Sequence, residues 1–189
     1  MRSTRMRSTE EALMLVRAFE ASAEEEKSRE LILTLLDFTT APFSGDQFHP
    51  GHITCTAAVL HPNGRQFLLM HHHRHRRWLL PGGHVEESDV TLADAARREA
   101  IEETGVRIEP SGPALLSGMD VHGIPARKGE PFHLHHDLIF AFTAESDGFV
   151  ITEEAPQVAW CGLDEFERYQ LPSSITRAAE RALKALAPK

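Results

Sequence analysis

The sequence has few cysteines and only short apolar runs, the features on which disulfide-linked and membrane-embedded proteins depend. Among 189 residues there are 2 cysteines, too few for a disulfide framework, and their separation does not match a metal-binding motif. The apolar runs at residues 13–16 and 31–36 are far shorter than the roughly 20 residues of a membrane span. The first residues also lack the apolar region of a signal peptide. We therefore expect a cytoplasmic protein with no membrane partner.

Positive charge is also scarce. Lysine and arginine together number 20 against 28 aspartates and glutamates, so the net charge is −8, and the one basic block is at residues 74–77. Stable binding to nucleic acid is therefore not expected, because such proteins carry a basic surface. A phosphate-bearing substrate is still compatible with the acidic balance, since a bound metal ion can reverse the local charge.

The order of the predicted elements indicates a helical N-terminal extension over residues 1–50 and a mixed domain over residues 51–189. Ser8 and Glu11 have the spacing of a capping box at the start of a first helix. The other predicted elements are a helix at 23–38, strands at 52–60, 66–72, 134–143 and 158–161, a helix at 91–104, and a last helix capped by Ser173 or Ser174. The turn at residues 62–64 predicts that the first two strands form a hairpin. Strands flanked by helices predict an α/β (α+β) fold with a mixed sheet covered by helices.

Three carboxylates on one predicted helix are the most informative feature. Glu99, Glu102 and Glu103 stand at positions i, i+3 and i+4, so they share one face, which we expect to be exposed and opposite the apolar side of the helix. Such a face is often merely solvated. Three hard oxygen donors in one patch also suit Mg²⁺ or Mn²⁺, which would relieve their mutual repulsion. Gly82 and Gly83 precede the helix and allow the backbone to approach a ligand closely.

Residues 83–106 resemble the signature of the Nudix hydrolases, the MutT-like family, in which glycine, glutamate, Arg-Glu, Glu-Glu and glycine recur at fixed offsets. Arg98, the three glutamates and Gly105 match it in register. The match is imperfect upstream, where the acidic position falls on Asp89 and one extra residue separates it from Arg98. We place that residue in the loop before the helix, which leaves the role of Asp89 open.

The resemblance implies a fold, a reaction and a set of site residues. The fold is an α/β/α sandwich around a mixed sheet, and the reaction is Mg²⁺- or Mn²⁺-dependent hydrolysis of a diphosphate linkage by a pyrophosphohydrolase. The implied metal ligands are Glu99, Glu102 and Glu103, of which Glu103 is the strongest candidate. The implied catalytic residues are Glu103, Glu102, Arg98, which would orient the carboxylates, and Glu154, for which Glu153 is the alternative. The candidate substrate-binding residues are Gly82, Gly83, Arg74 and Arg77.

Several alternatives stay open at this stage. The substrate is a small nucleoside diphosphate joined to another group, such as ADP-ribose, or a nucleoside triphosphate. Competing functions on the same fold are an isopentenyl diphosphate isomerase-like enzyme, which would carry a cysteine near Gly82, and a ligand-sensing domain without catalysis. The first fifty residues could form a homodimer contact, a substrate lid or a layer packed on the sheet.

The 12 histidines are the remaining compositional oddity. One group, at residues 71–75, stands among arginines, and we expect it to be an exposed strand end, with phosphate binding as the alternative. A second group, at residues 133–136, begins a predicted strand. We expect those histidines to be ordinary strand-edge residues, and a zinc site is the alternative.

Overall fold

A computed structural model of the chain describes residues 9–187. The helices are α1 (Thr9–Ala18), α2 (Glu26–Phe38), α3 (Leu92–Thr104) and α4 (Ser173–Leu186), with a short 3₁₀ helix at Leu163–Glu165. The strands are β1 (Gly51–Leu60), β2 (Gln66–His72), β3 (Arg77–Leu79), β4 (Gly82–His84), β5 (Leu115–Ile124), β6 (His133–Thr143) and β7 (Gln157–Gly162). Ser8, the predicted cap of α1, lies outside the described residues. Within residues 9–187, none of the helices has the length and apolar character needed to cross a membrane.

The seven strands form one mixed sheet in the order β3-β2-β1-β6-β5, with β4 added beside β1 and β7 beside β2. The strands β1 and β6 run parallel along all of β1, and the other pairs are antiparallel. The predicted hairpin is confirmed at its turn, where β1 and β2 pair antiparallel through Leu60 and Phe67. Further from the turn, β4 pairs with residues 54–56 of β1, and β6 runs along the other edge of β1.

Two apolar layers cover the faces of the sheet. Alternate residues of a strand point to opposite faces, and in β1 Ile53 and Val59 belong to one cluster whereas Ala58 and Leu60 belong to the other. Helices α1, α2 and α3 pack into the first cluster, and α4 and the 3₁₀ segment pack into the second. The predicted α/β/α sandwich is therefore confirmed.

The two N-terminal helices form part of the core. Ala12, Val16 and Ile32 have no solvent exposure and lie in the same cluster as the sheet residues. Glu25, just before α2, is 1% exposed and forms a salt bridge through both carboxylate oxygens with Arg181 of α4. Of the three roles considered for this segment, packing against the sheet is the one that the structure shows.

Local signals at the ends of α3 correspond closely to the structure. Thr91 caps the helix, its hydroxyl accepts the N–H of Asp94 at 3.1 Å, and Gly105 ends it in the left-handed conformation. The predicted serine cap of α4 is wrong, because Pro172 occupies that position and no side chain caps the helix. Strand β5 was not predicted because Gly118, Asp120 and Gly123 interrupt its apolar alternation.

Candidate active site

A cleft of about 810 Å³ opens where β4, the C-terminal half of α3 and the ends of β2, β5 and β6 meet. Carboxylates, imidazoles and cationic side chains all line this cleft. The lining acidic groups include Glu99, Glu103, Glu154, Asp120 and Asp137, and the lining cations are Arg74, Arg77, Arg127 and Lys128. This mixture of charges is suited to an anionic ligand held together with a metal ion.

Glu103 is the most deeply placed of the three signature carboxylates. It is 4% exposed, which corrects the expectation of an exposed side chain, and the backbone N–H of Gly82 donates to its carboxylate at 2.9 Å. Burial raises the pKa of Glu103 to about 8, and the negative charges of Glu99 and Glu154 act in the same direction. In the described part of the chain no salt bridge neutralises this carboxylate. A buried carboxylate of this kind favours binding of either a proton or a cation.

Two further side chains converge on Glu103. One ligand atom each from His72, Glu103 and Glu154 lies within 4.8 Å of the others. His72 is buried at the end of β2, and its Nε2 lies 3.8 Å from Oε1 of Glu154, whose side chain is 54% exposed. Burial and the neighbouring charge of Arg74 lower the pKa of His72, which favours a neutral imidazole. The sequence suggested that this strand end is exposed, whereas the structure shows that His72 itself is buried.

The three predicted metal ligands are neighbours that differ in burial and in the surface they face. Glu99 and Glu103 line the cleft, whereas the side chain of Glu102 is 58% exposed and lies on the outer side of α3. Glu99 packs against the glycine pair, and a Cβ on Gly83 would lie 2.7 Å from its carboxylate. A Cβ on Gly82 would lie 2.7 Å from the backbone of β1, so this position requires glycine. The outward position of Glu102 reflects the 100° step between neighbouring helix positions.

Arg98 connects three of the four acidic positions of the signature, Asp89, Glu99 and Glu102. Its Nε and Nη2 donate to the two carboxylate oxygens of Asp89 at 2.9 and 3.1 Å, and its Nη1 donates to Glu99 and Glu102, each at 3.0 Å. A further hydrogen bond, 2.8 Å long, reaches the carbonyl of His84. The guanidinium thus fixes the loop before α3 to the carboxylates on α3, an arrangement that suits the planar fork of arginine.

The predicted substrate-binding residues lie around the same cleft. Arg74, Arg77, Gly82 and Gly83 all line it, and Glu154 lies on its wall, whereas Glu153 is not among the lining residues. Two cations, Arg127 and Lys128, were missed by sequence reasoning. They belong to the connection between β5 and β6, and without β5 no sequence signal placed that connection at the site.

Histidines from distant segments form a second group at the cleft, which we name the histidine cluster: His52, His84, His122, His133 and His135. Its rings lie 4.9 to 5.7 Å from their neighbours, centroid to centroid. Burial lowers the pKa of His52 to about 4 and strongly lowers that of His135. Burial also acts to lower the pKa of His122. Its hydrogen bond to Asp120 acts the other way, and the pKa is raised overall. The expectation of ordinary strand-edge residues is wrong for His133, which is 4% exposed and packed among other imidazoles.

Comparison with known proteins gives one family. A family model described as "NUDIX domain" matches residues 51–184. Among solved structures, a NUDIX-family hydrolase from Clostridium perfringens is similar with a TM-score of 0.55 at 21% identity, over 71% of this chain and 97% of that one. The NUDIX domain of NrtR from Shewanella oneidensis, solved with ADP ribose, gives 0.53 at 20% identity over 71% and 88%. An Ap4A hydrolase from C. elegans gives 0.51 at 16% identity over 68% and 93%.

Among curated sequences, an uncharacterized 17.7 kDa protein of Enterobacteria phage T4 is 44% identical over 52 residues. That alignment covers 28% of this chain and spans about a third (33%) of the phage protein. At identities of 16% to 21%, the structural similarities concern the fold.

Proposed function

The chain belongs to the NUDIX domain family, and on that premise we propose that it hydrolyses the diphosphate linkage of a nucleoside diphosphate joined to another group, with Mg²⁺ or Mn²⁺ as cofactor. Family membership agrees with the enzyme class predicted from the signature, a pyrophosphohydrolase. The observation that carries the proposal is the buried carboxylate of Glu103, which faces the cleft beside Glu99 and Glu154 and has no salt bridge to a cationic side chain among residues 9–187.

The donor atoms fit a hard divalent cation. Glu99, Glu103 and Glu154 offer carboxylate oxygens, which Mg²⁺ and Mn²⁺ prefer, and His72 adds a nitrogen that Mn²⁺ accepts more readily. We assign Glu99, Glu103 and His72 as the metal ligands, with Glu102 as a neighbour held by Arg98 and Glu154 kept for proton transfer from the attacking water. When bound, the metal ion would neutralise the charge of the diphosphate and lower the pKa of a coordinated water.

The residues of the chain then have separate tasks. Arg98 holds Glu99 in place through the hydrogen bond at 3.0 Å, and the Gly82 N–H does the same for Glu103 at 2.9 Å. Arg74, Arg77, Arg127 and Lys128 line the cleft as binding groups for phosphate oxygens. Water adds to one phosphorus atom, the bridging P–O bond breaks, and two phosphorylated products leave.

Glu154 is our assignment for the general base that removes the proton from the attacking water. Its side chain is half-exposed on the cleft wall, and its carboxylate lies 3.8 Å from the imidazole of His72. A partly solvated carboxylate can pass the proton on to solvent, whereas the buried Glu103 is better suited to holding the metal. A Glu154→Gln substitution should therefore lower kcat more than metal affinity.

ADP-ribose or another nucleotide sugar is the substrate class we favour, with a nucleoside triphosphate second. A nucleotide sugar places two phosphates between two bulky groups, and the cleft is large enough for a ligand of that kind. The NUDIX domain of NrtR from Shewanella oneidensis was solved in complex with ADP ribose, and the similarity of its fold supports this choice. The two unpaired and buried cysteines, Cys55 and Cys161, support a cytoplasmic location as part of the same proposal.

The test is a hydrolysis panel. The full-length protein is incubated with ADP-ribose, other nucleotide sugars, dinucleoside polyphosphates and nucleoside triphosphates, with Mg²⁺, Mn²⁺ or EDTA, and products are separated by chromatography. We expect two phosphorylated products with metal and none with EDTA. Full turnover in EDTA would contradict the metal requirement, and binding without turnover would favour the sensing domain. Isomerisation of isopentenyl diphosphate would favour the isomerase, although residues 81–84 contain no cysteine where a member of that family would carry one.

A further inference from the structure

Three histidines of the histidine cluster lie close together on β1 and β6, which are adjacent parallel strands of the sheet. His52 and His135 are direct partners in the register of the two strands. His133 lies two residues before His135, so its side chain leaves the strand on the same face. The centroid of the His52 ring lies 5.1 Å from that of His133 and 4.9 Å from that of His135, and one nitrogen from each ring lies within 4.8 Å of the others.

The hydrogen bonds at the far side of these rings decide which nitrogen is free. The Nδ1 of His52 lies 3.1 Å from the carbonyl oxygen of Gln47, and the Nδ1 of His133 lies 2.9 Å from that of Pro131. A carbonyl oxygen can only accept, so each Nδ1 carries the proton and each Nε2 of the neutral ring keeps a lone pair. Hydrogen bonding of one ring nitrogen to a backbone carbonyl is how metal-binding histidines are usually oriented.

The second observation is an unsatisfied atom. His52 has no solvent exposure, and its Nε2 has no hydrogen-bond partner among the described residues. A buried acceptor without a partner costs stability, and native proteins rarely contain one without a reason. A group of stacked imidazoles that merely filled space would not explain why this lone pair is buried without a partner beside two further imidazole rings.

We propose that His52, His133 and His135 bind a zinc ion, at a site separate from the carboxylates of α3. Three imidazole nitrogens without a carboxylate favour Zn²⁺ and similar transition metals over Mg²⁺. Three protein ligands also leave one position of a tetrahedral site open, and a water or an oxygen atom of a molecule in the cleft can fill it. His133 and His135 line that cleft, so the ion would lie within reach of the molecules that bind there. The proposal does not depend on the proposed hydrolysis, because the two sites share no residue.

Zinc alone is the probe for the first experiment. Untagged full-length protein is stripped with a chelator, dialysed, and titrated with Zn²⁺ in competition with a chromophoric chelator. We expect one tight equivalent per chain in the wild type. His135→Asn, which changes a partly exposed residue, should weaken the affinity by more than about a hundredfold, since even outer-shell partners of metal ligands contribute 10–100-fold.

Three control variants separate this site from its rivals. His61→Ala removes a histidine in the turn after β1, and Glu103→Gln alters the carboxylate site, and both should keep the affinity within about tenfold. His73→Ala tests the exposed histidine run after β2 and should also leave the affinity unchanged. Circular dichroism and thermal melting of His135→Asn show whether it is folded.

Cobalt gives a readout that needs no variant. Co²⁺ bound by three imidazoles in four-coordinate geometry shows intense visible absorption, whereas Co²⁺ among carboxylates and water shows weak bands. We expect the intense spectrum in the wild type and its displacement by one equivalent of Zn²⁺. The proposal is overturned by weak bands in the wild type, by equal affinity in folded His135→Asn, or by loss of binding in His73→Ala or Glu103→Gln.

Discussion

Asp89 and Arg98 face each other through two parallel hydrogen bonds, Nε to Oδ1 at 2.9 Å and Nη2 to Oδ2 at 3.1 Å. The pair spans the extra residue that distinguishes this chain from the family signature. Asp89 is buried, so the acidic position keeps a partner in α3 although its spacing differs. The role of Asp89 that the sequence left open is thus to anchor Arg98.

Deletion of Val90 should have a modest effect for the same reason. Val90 is 56% exposed between Asp89 and the Thr91 cap, so its removal shortens a loop without moving Glu99 and Glu103 relative to each other. We expect the affinity for Mn²⁺, measured by calorimetry, to change by less than about tenfold, a difference of roughly 1.4 kcal/mol. A larger change would show that the loop determines the metal site, as would activity that appears only in the deletion variant.

Glu103→Gln and Glu102→Gln should separate the carboxylates of α3 by function. Glu103 is buried in the cleft and Glu102 is exposed outside it, although the two are adjacent in the sequence. We expect Glu103→Gln to lower kcat by at least about a hundredfold, as is typical when one electrostatic contributor is lost. Glu102→Gln should lower it less than about tenfold, since Arg98 keeps its bonds to Asp89 and Glu99. Equal losses in steady-state assays with Mg²⁺ would mean that Glu102 turns into the cleft when metal binds.

Arg181→Ala should destabilise the protein through its N-terminal helices. Arg181 neutralises the buried Glu25, donates to the carbonyl of Ser117 at 3.1 Å, and lies over the ring of Phe19 at 4.9 Å. Removing one partner leaves a buried charge without its counterion, which costs about 3–5 kcal/mol for fully buried pairs. Because Arg181 is partly exposed, we expect a loss of about 3 kcal/mol in urea unfolding.

The double variant Glu25→Gln/Arg181→Ala is the control for that loss. With both charges gone, it should recover part of the stability that Arg181→Ala loses, because the uncompensated charge itself is the main cost. If the double variant loses as much unfolding free energy as the two single variants added together, then packing on Phe19, not charge, holds the helices.

The accuracy of the sequence predictions depends on how local each signal is. The limits of α3 depend on contacts within four residues, such as Thr91 with Asp94, and these were predicted correctly. The burial of Glu103 depends on the N–H of Gly82 and on the sheet behind it, which spacing along a helix cannot show. The approach of His52 to His135 depends on the parallel register of two strands far apart in the chain, and no local pattern encodes it.

The last prediction concerns pH and stability in the absence of metal. The pKa of Glu103 is about 8 in the folded protein because of burial, against an ordinary value of 4.5. Between these two values the folded chain holds a proton that the unfolded chain has released. The free energy of unfolding should therefore fall as pH rises through this window, by up to about 1.4 kcal/mol per pH unit for one proton. The stabilising contribution is fully present below about pH 4.5 and is lost by about pH 8.

Glu103→Gln should remove this slope, because glutamine stays neutral and its amide oxygen can still accept the N–H of Gly82. We expect the metal-free variant to be more stable than the wild type in EDTA near pH 8 and closer to it near pH 5, as measured by urea unfolding. Added Mn²⁺ should stabilise the wild type more at the higher pH, since the ion competes with the proton for one carboxylate. A variant with the same pH slope as the wild type would mean that Glu103 is ionised without metal, and the cleft would then have to neutralise it with one of its own cations.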